Sequence, residues 1–397
     1  MRWLYVASGI PVPGTLGGST HTLEVAHGLA ARGHQVHVVA CSREDWGGLA
    51  ALARPVSSRF ENITLHHVDV PKAASLLAAP LLGRLARAIK PDIVMERYYN
   101  FAGGGLLAAH ALGLPSILEV NALIIDPPAV RKRRLDDALG GPMRRWAVAQ
   151  CRMASRIITP LHTTVPAEID RTRIVELPWG ANVDRFTIDD FGFTIDSNSS
   201  SIVNPKSKIQ NRVFFLGSFR AWHGVIDFVQ AAVLLLEQGR DVQFVLVGDG
   251  PQRAAAEAAA QAWPGRFSFT GAVAYDDVPA LLAGATVAVA PFNTIPHPAL
   301  RSAGFFWSPL KIYEYMAAGL PVVTTDIPPL NQIIRNNHEG LLYPEGDVTA
   351  LAAAIGGLLD APEQARVMGK NGRARVVEHF SWARHCAELE RIAVQLV

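Results

Sequence analysis

Short apolar segments that alternate with longer helical segments dominate the first half of the sequence. The predicted strands cover residues 4–8, 36–41, 63–70, 93–97, 117–121, 157–160 and 174–177. Amphipathic or apolar helical segments, for example residues 20–32 and 76–89, lie between most of them. Apolar strands joined by helical crossovers are typical of a parallel sheet that is covered by helices on both faces.

A second series of the same kind follows a polar, Ser- and Asn-rich segment at residues 196–208. Its predicted strands cover residues 213–216, 244–247, 267–269, 287–290 and 322–324. We therefore predict an α/β fold with two Rossmann-like, doubly wound domains at residues 1–185 and 186–379. An amphipathic final helix, residues 380–397, is expected to pack back on the first domain. Sheets of this kind bind ligands at the carboxyl ends of their strands, where the strand order reverses.

Length, charge and cysteine content exclude several classes of protein. A chain of 397 residues is too long for one ordinary hydrophobic core, which agrees with two domains. The net charge of +2 lacks the basic excess of nucleic-acid-binding proteins, so we expect no nucleic-acid partner. Cys41, Cys151 and Cys386 lie far apart, which favours reduced thiols in the cytoplasm over disulfides or a zinc site. The first apolar run is too short for a signal peptide, and no uninterrupted apolar stretch reaches the roughly 18 residues of a membrane span.

Two glycines, Gly17 and Gly18, follow the first predicted strand and begin the first predicted helix. Paired glycines let the backbone approach a ligand closely, and the N–H groups of a helix N-terminus attract anions. The pattern GxGxxG is missing and no acidic residue ends the second strand, so a nicotinamide dinucleotide site is disfavoured. A phosphate-binding loop and a plain turn both remain open.

The segment from Ser308 to Gly319 predicts a short helix that leads into a buried strand. Ser308 suits the N-cap, Pro309 suits the first helical position, and Gly319 suits the end of the helix. Lys311 and Glu314 are expected to share one face. A lysine in the first turn opposes the helix dipole unless an anion binds there, and a nucleoside diphosphate would supply that anion. Glu314 could then accept hydrogen bonds from ribose hydroxyls; the alternative is an ordinary surface Lys–Glu pair.

The same segment resembles the donor-binding helix of glycosyltransferase family 4, whose members have the GT-B fold. Further motifs of that family occur in the same order along nearly the whole chain, at residues 17–18, 177–184, 215–218, 247–251, 270–271, 340–343 and 346–347. The resemblance implies two Rossmann-like domains that face a central cleft. It also implies a metal-independent, retaining transfer of a sugar from a UDP- or GDP-sugar to the hydroxyl of a sugar, glycoside or lipid-linked acceptor.

The resemblance also implies a set of donor-binding residues. Glu314 matches the family's ribose-binding glutamate, and Gly17 and Gly18 match the loop beside the diphosphate and the transferred sugar. The nucleobase pocket and the phosphate contacts of the family fall on loops near residues 248, 271–273 and 308–310. The full predicted donor set is Gly17, Gly18, Ser218, Arg220, His223, Gly248, Gly271, Val273, Ser308, Pro309, Leu310, Lys311 and Glu314.

The sequence departs from the family pattern in its donor site. Phe306 stands where the family commonly has a glutamate that touches the transferred sugar. Ser218 and His223 stand where an Arg/Lys pair usually binds the phosphates. Arg220 and Lys311 are the cations that could bind the diphosphate instead.

A further departure concerns the catalytic site, for which we predict Gly18, Asn121 and Glu119. Asn121 replaces the family's active-site histidine, which leaves Glu119 as the nearest ionisable candidate. A carboxylate pair like that of glycosidases is not required, because a phosphate oxygen of the donor can take the acceptor's proton. The protein must instead supply cationic and N–H stabilisation of the leaving diphosphate.

The predicted acceptor residues are Glu96, Arg97, Tyr98 and Asn121, at the ends of two neighbouring strands. A buried pair between the first two is the alternative interpretation. A basic patch at residues 131–134 and 144–145 either contacts an anionic membrane peripherally, at its inner face, or is a solvated helix face.

Two other functions remain open from the sequence. A sugar-nucleotide epimerase of the same fold would invert or hydrolyse its donor without an acceptor. A non-catalytic subunit would bind nucleotide without turnover, and the departures from the family pattern motivate this alternative. The oligomeric state is not predicted.

Overall fold

The computed structural model of the protein describes residues 1–14, 17–42, 54–186 and 211–397. They form two compact units. Unit 1 comprises Met1–Trp179, Phe306–Ser308 and Trp382–Val397, and unit 2 comprises Gly180–Phe305 and Pro309–Ser381. Unit 1 thus ends slightly before the predicted boundary at residue 185 and includes the last helix. The predicted polar loop at 196–208 lies outside the described residues.

Unit 1 is built around a sheet with helices between its strands. Its strands are β1 (Arg2–Pro11), β2 (Gln35–Cys41), β3 (Val56–Phe60), β4 (Ile63–His67), β5 (Ile93–Arg97), β6 (Ser116–Glu119), β7 (Arg156–Thr159) and β8 (Ile174–Glu176). Its helices are α1 (Gly17–Ala31), α2 (Ala79–Ile89), α3 (Gly104–Leu112), α4 (Arg131–Ala138), α5 (Pro142–Met153) and a C-terminal helix, Trp382–Val394. The C-terminal helix packs on α1, where Gly28 faces the thiol of Cys386.

Among the described residues, the strand order of this sheet is β3-β4-β2-β1-β5-β6-β7-β8. All neighbours are parallel except β3 and β4, which are antiparallel. Strand β3 was not predicted, because it lies at the sheet edge and is exposed at nearly every position. The strand order reverses between β1 and β5, so the loops that follow these two strands meet at the switch point of unit 1.

Unit 2 repeats the architecture with a parallel sheet. Its strands are β9 (Asn211–Leu216), β10 (Val242–Val247), β11 (Phe267–Gly271), β12 (Val287–Ala290), β13 (Val322–Thr325) and β14 (Gly340–Tyr343). Its helices are α6 (Val225–Glu237), α7 (Arg253–Ala260), α8 (Val278–Leu282), α9 (Pro298–Ala303), α10 (Leu310–Ala317), α11 (Leu330–Ile333), α12 (Val348–Asp360) and α13 (Pro362–His379).

In the described part of unit 2, the strand order is β11-β10-β9-β12-β13-β14. The order reverses between β9 and β12, which is the switch point of this unit. Every residue of β10 is buried, in line with the continuous apolar runs from which a sheet covered on both faces was predicted. No helix among the described residues has both the length and the apolarity required to cross a bilayer.

Candidate functional site

The ends of three successive strands in unit 2 approach one another through glycines. The N–H group of Gly217 donates to the carbonyl of Val247 at 2.9 Å, and that of Gly248 donates to the carbonyl of Gly271 at 2.8 Å. A Cβ atom at Gly248, where φ is +131°, would lie 2.0 Å from the carbonyl oxygen of Gly217. Close backbone packing therefore explains the glycine at 248 without a ligand, although the same loops can still face a nucleobase.

Helix α10 is placed against the switch point of unit 2 by its own side chains. The hydroxyl of Tyr315 accepts a hydrogen bond from the N–H group of Leu216 at 2.7 Å, which fixes the helix to the end of β9. All residues from 311 to 317 are buried. The predicted N-cap is wrong: α10 begins after Pro309, and the Ser308 hydroxyl accepts from the backbone N–H of Trp179 at 3.0 Å instead.

Lys311 and His223 meet inside unit 2, beside this switch point. The Nζ atom of Lys311 lies 3.2 Å from Nδ1 of His223, and the two side chains are only 7% and 8% exposed. The ammonium group also lies 4.6 Å and 4.9 Å from the ring centroids of Phe215 and Phe292. Among the described residues, Lys311 has no ion-pair partner. It is therefore a buried cation with no counter-ion at hydrogen-bonding distance, an arrangement that costs free energy until an anion binds.

Burial dominates the ionisation of this pair. Desolvation lowers the pKa of Lys311 to about 7, although Glu314 opposes the shift. The pKa of His223 is lowered well below its ordinary value, first by burial and then by the charges of Lys311 and Arg220. Glu314 itself is only 3% exposed, so the alternative of a surface Lys–Glu pair is wrong.

The remaining predicted donor residues of unit 2 lie in two loops. Arg220 is exposed, and its N–H group donates to the carbonyl of Ser218 at 2.9 Å in the turn after β9. This turn leads into a short 3₁₀ helix, Ala221–His223, which carries the histidine to Lys311. Val273 is half-buried in the loop after β11, at the outer edge of the sheet. The structure therefore brings together Arg220, His223 and Lys311, whereas Val273 follows the edge strand β11.

In unit 1, the side chain of Arg97 contacts the glycine pair at the start of α1 through a hydrogen bond to Gly18. The Nη1 atom of Arg97 donates to the carbonyl of Gly18 at 3.2 Å and lies 3.3 Å from the Thr22 hydroxyl. Among the described residues, a Cβ atom at Gly17 would meet nothing within 4 Å, and no positive φ requires glycine there. With respect to the described residues, the space at the Gly17 Cβ position is therefore empty.

Glu119 is the centre of a buried network rather than an accessible base. It is 3% exposed and accepts hydrogen bonds from the Tyr5 hydroxyl at 2.6 Å and from Nδ2 of Asn121 at 2.8 Å. It also contacts Nε2 of His21. Burial raises the pKa of Glu119, but His21 and Arg97 lower it by more, so the carboxyl stays ionised. Burial lowers the pKa of His21 to about 4, which leaves the imidazole neutral.

Aromatic side chains enclose this network. The Nε1 atom of Trp179 donates to Oδ1 of Asn121 at 2.7 Å, and the Trp179 ring lies 4.3 Å from the ring of His21. From the C-terminal helix, Trp382 lies 5.1 Å from His21, and Nδ1 of His385 lies 2.9 Å from the carbonyl of Pro178. The predicted site did not include His21, Tyr5 or Trp179; Trp179 lies in the family motif at residues 177–184, whereas the other two belong to no motif of the sequence.

Two family models match the two halves of the chain. The model described as Glycosyltransferase Family 4 matches residues 16–176, and the model described as Glycosyl transferases group 1 matches residues 210–361. A 2-deoxystreptamine N-acetyl-D-glucosaminyltransferase of Streptomyces fradiae is 32% identical over 331 residues, which cover 75% of this chain and 73% of that protein. The chain belongs to glycosyltransferase family 4.

Other relatives agree with this membership. A 2-deoxystreptamine glucosyltransferase of Streptomyces kanamyceticus is 27% identical over 291 residues, which cover 72% of this chain and 71% of that protein. Anabaena HepE, solved in complex with UDP and glucose, has a TM-score of 0.69 at 17% identity, and the match covers 100% of both chains. The protein is thus a glycosyltransferase whose two parallel-sheet domains have the GT-B fold.

The predicted acceptor residues of this family 4 member have other partners in the structure. Glu96 is fully buried and accepts from the backbone N–H groups of Gly103 and Leu106, both at 2.8 Å, at the start of α3. Burial raises its pKa to about 7 in spite of these bonds. Its role as an acceptor ligand is therefore wrong, and so is the alternative of a Glu96–Arg97 pair, because Arg97 binds the glycine loop.

Tyr98 and Asn121 keep part of their hydrogen-bonding capacity. The Tyr98 hydroxyl donates to the carbonyl of Ile124 at 3.1 Å, which leaves its lone pairs for another donor. Asn121 retains one N–H and one lone pair beyond its bonds to Glu119 and Trp179. These two half-buried residues remain the acceptor candidates.

Neighbouring carboxylates of the described residues pair with three of the six cations in the basic patch on α4 and α5. Arg133 pairs with Asp137 at 3.0 Å, and Arg144 pairs with Asp136 at 3.1 Å and with Asp137 at 2.7 Å. Lys132 lies 3.4 Å from a carboxylate oxygen of Asp126. Pairing of this kind favours the solvated helix face, and peripheral membrane contact stays a prediction.

Proposed function

We propose that this family 4 member is a metal-independent, retaining glycosyltransferase that uses a nucleoside diphosphate sugar, with UDP as the preferred nucleotide. The observation that carries the proposal is the buried cation Lys311 beside His223, which has no counter-ion at hydrogen-bonding distance among the described residues. A diphosphate would supply the missing negative charge. UDP is the nucleotide named in the complex of HepE, whose fold this chain shares.

The leaving diphosphate would be stabilised from the turn after β9 and from α10. Arg220 and His223 are the candidate ligands of the diphosphate, and Lys311 adds a positive charge beside His223. Each charge-assisted contact would stabilise binding by roughly 1.5–3 kcal/mol. Glu314, buried on the same helix, would accept from the ribose hydroxyls. In unit 1, the space at the Cβ position of Gly17 would admit a ligand.

The chemistry needs no carboxylate nucleophile. The bond between the anomeric carbon and the diphosphate oxygen breaks, and the acceptor oxygen attacks that carbon from the same face. The acceptor's proton passes to an oxygen of the leaving diphosphate. In this proposal Glu119 takes no part in the transfer, because it is buried and already contacts Tyr5, His21 and Asn121.

For the acceptor, we propose a small polyhydroxylated molecule of the aminocyclitol class. Support comes from the names of two relatives, both of which act on 2-deoxystreptamine. Tyr98 and Asn121 would bind hydroxyl or amino groups of such a molecule through their remaining hydrogen-bonding positions.

The test is a thermal-shift screen with UDP, GDP, ADP and their sugars, followed by a product assay with 2-deoxystreptamine, with and without EDTA. We expect stabilisation by UDP and its sugars, and a product that keeps the anomeric configuration of the donor. Glu314→Ala should weaken UDP binding by about tenfold or more, whereas Glu237→Ala, exposed on α6, should not. Donor hydrolysis without transfer, or binding without turnover, would instead support the epimerase or the non-catalytic subunit.

A further inference from the structure

The two ring nitrogens of His223 are in different environments. Nδ1 lies 3.2 Å from Nζ of Lys311. Among the described residues, Nε2 has no hydrogen-bond partner. Only Nε2 is therefore available to a ligand at the switch point of unit 2.

The charge of Lys311 decides which nitrogen of His223 carries the proton. An ammonium group has no acceptor capacity, so a protonated Lys311 makes Nδ1 the acceptor and leaves the ring proton on Nε2. A neutral amine can accept, and it permits the opposite tautomer. A phosphate oxygen can accept a hydrogen bond only from the Nε2–H form.

The groups around the pair make the protonation of Lys311 sensitive to a bound anion. The rings of Phe215 in β9 and Phe292 after β12 lie beside the Lys311 ammonium. Glu314 of α10 raises the pKa of Lys311, and Arg220 in the turn after β9 lowers the pKa of His223. With a pKa lowered to about 7 by burial, Lys311 is partly neutral at physiological pH. A bound diphosphate favours its protonated form.

We propose that Lys311 is a positioning residue that fixes His223 as an Nε2–H donor to the diphosphate of the nucleotide sugar. The proposal rests on the function proposed above and adds to it the residue through which Lys311 acts. The lysine contributes to diphosphate binding by way of the imidazole, not by direct contact with a phosphate oxygen.

A double-mutant cycle tests this order of contacts, since residues that act through one another show non-additive effects. Lys311→Met should weaken UDP binding by about tenfold or more and leave uridine binding unchanged. His223→Gln places an amide nitrogen near the position of Nε2, so it should retain more UDP affinity than His223→Asn. In the His223→Gln background, Lys311→Met should have only a small further effect. Equal losses in both backgrounds would show that Lys311 acts independently of His223, and would overturn the proposal.

The tautomer itself is measurable by ¹⁵N NMR on histidine-labelled protein. One of the 13 histidines is assigned to position 223 from the signal that His223→Gln removes. We expect the Nε2–H form at pH 6 without ligand, and at pH 7 to 8 once UDP is bound; an Nδ1–H form with UDP bound would overturn the proposal.

Three controls separate the possible failures. Lys370→Met, exposed on α13, should leave UDP affinity and the tautomer unchanged. Thermal melting and uridine binding show whether each variant is folded. If the parent binds no nucleoside diphosphate, the proposed function fails together with this inference, whereas UDP binding with an additive cycle rejects the inference alone.

Discussion

The switch points of unit 1 and unit 2 bury charged side chains to a similar extent but compensate them differently. In unit 1, the carboxylate of Glu119 is surrounded by Tyr5, Asn121 and His21, and Arg97 offsets its charge. In the described part of unit 2, the ammonium of Lys311 has a neutral imidazole and aromatic rings beside it but no carboxylate in contact. The first arrangement is complete without a ligand, whereas the second stores an electrostatic penalty that an anion relieves.

The largest expected effect comes from breaking the completed network of unit 1. Glu119→Leu removes one member of a buried, hydrogen-bonded set, and should lower the free energy of unfolding by about 3–5 kcal/mol. Urea denaturation at pH 7 measures the change. Glu168→Gln, which removes a surface partner of Arg152, is the control and should change stability by less than about 0.5 kcal/mol. A loss below about 1 kcal/mol for Glu119→Leu would mean that the two switch points do not differ as described.

An effect of opposite sign is expected in unit 2, because burial destabilises the Lys311 cation and no carboxylate of the described residues is in contact with it. Lys311→Met should raise the free energy of unfolding at pH 7 by on the order of 1–4 kcal/mol. The folded-state pKa of about 7 lies below the model-compound value of 10.5, so the unfolded chain binds more protons between these values. Parental stability should therefore rise with pH across that window, and the variant should lack this rise.

Denaturation curves from pH 6 to 10 check this second prediction, with Lys370→Met as the matched surface control. The advantage of the Met variant should shrink as the pH approaches 10, because losing the lysine's proton on folding costs less free energy as the pH nears the unfolded-state pKa of 10.5. A variant that is less stable than the parent at pH 7 would show that Lys311 is compensated after all.

The smallest expected effect on stability concerns Glu96, which the structure removes from the predicted acceptor site. Because this carboxyl group accepts from the first N–H groups of α3, Glu96→Gln should cost about 1 kcal/mol of stability at pH 5, and the difference should shrink as the pH rises. It should leave the KM for the acceptor unchanged. Burial raises the pKa of Glu96 to about 7, so stability contributed by its protonated form is lost as the pH rises through 7, and the Gln variant should not show this loss. Acceptor kinetics and melting between pH 5 and 8 measure both; a raised KM would restore Glu96 to the acceptor site.

Most of the strands could be predicted from the sequence because buried parallel strands need continuous apolar runs. Strand β5 at Ile93–Arg97 and strand β12 at Val287–Ala290 coincide with their predicted bounds. Strand β3 was missed because its residues face solvent, and an exposed edge strand has no apolar pattern. The start of α10 was predicted too early, because Ser308 binds the backbone of Trp179 rather than the first turn of the helix.

The sequence by itself determined the fold class, the family and the presence of cationic residues near a candidate diphosphate site, since these depend on periodicity and on motifs that are contiguous in the chain. Only the tertiary structure decided which of those residues meet. Lys311 and His223 are 88 positions apart, and Tyr5 and Glu119 are 114 positions apart, so no local pattern relates them. Burial, which sets their protonation states, arises only when the strands and helices that carry them pack together and exclude water.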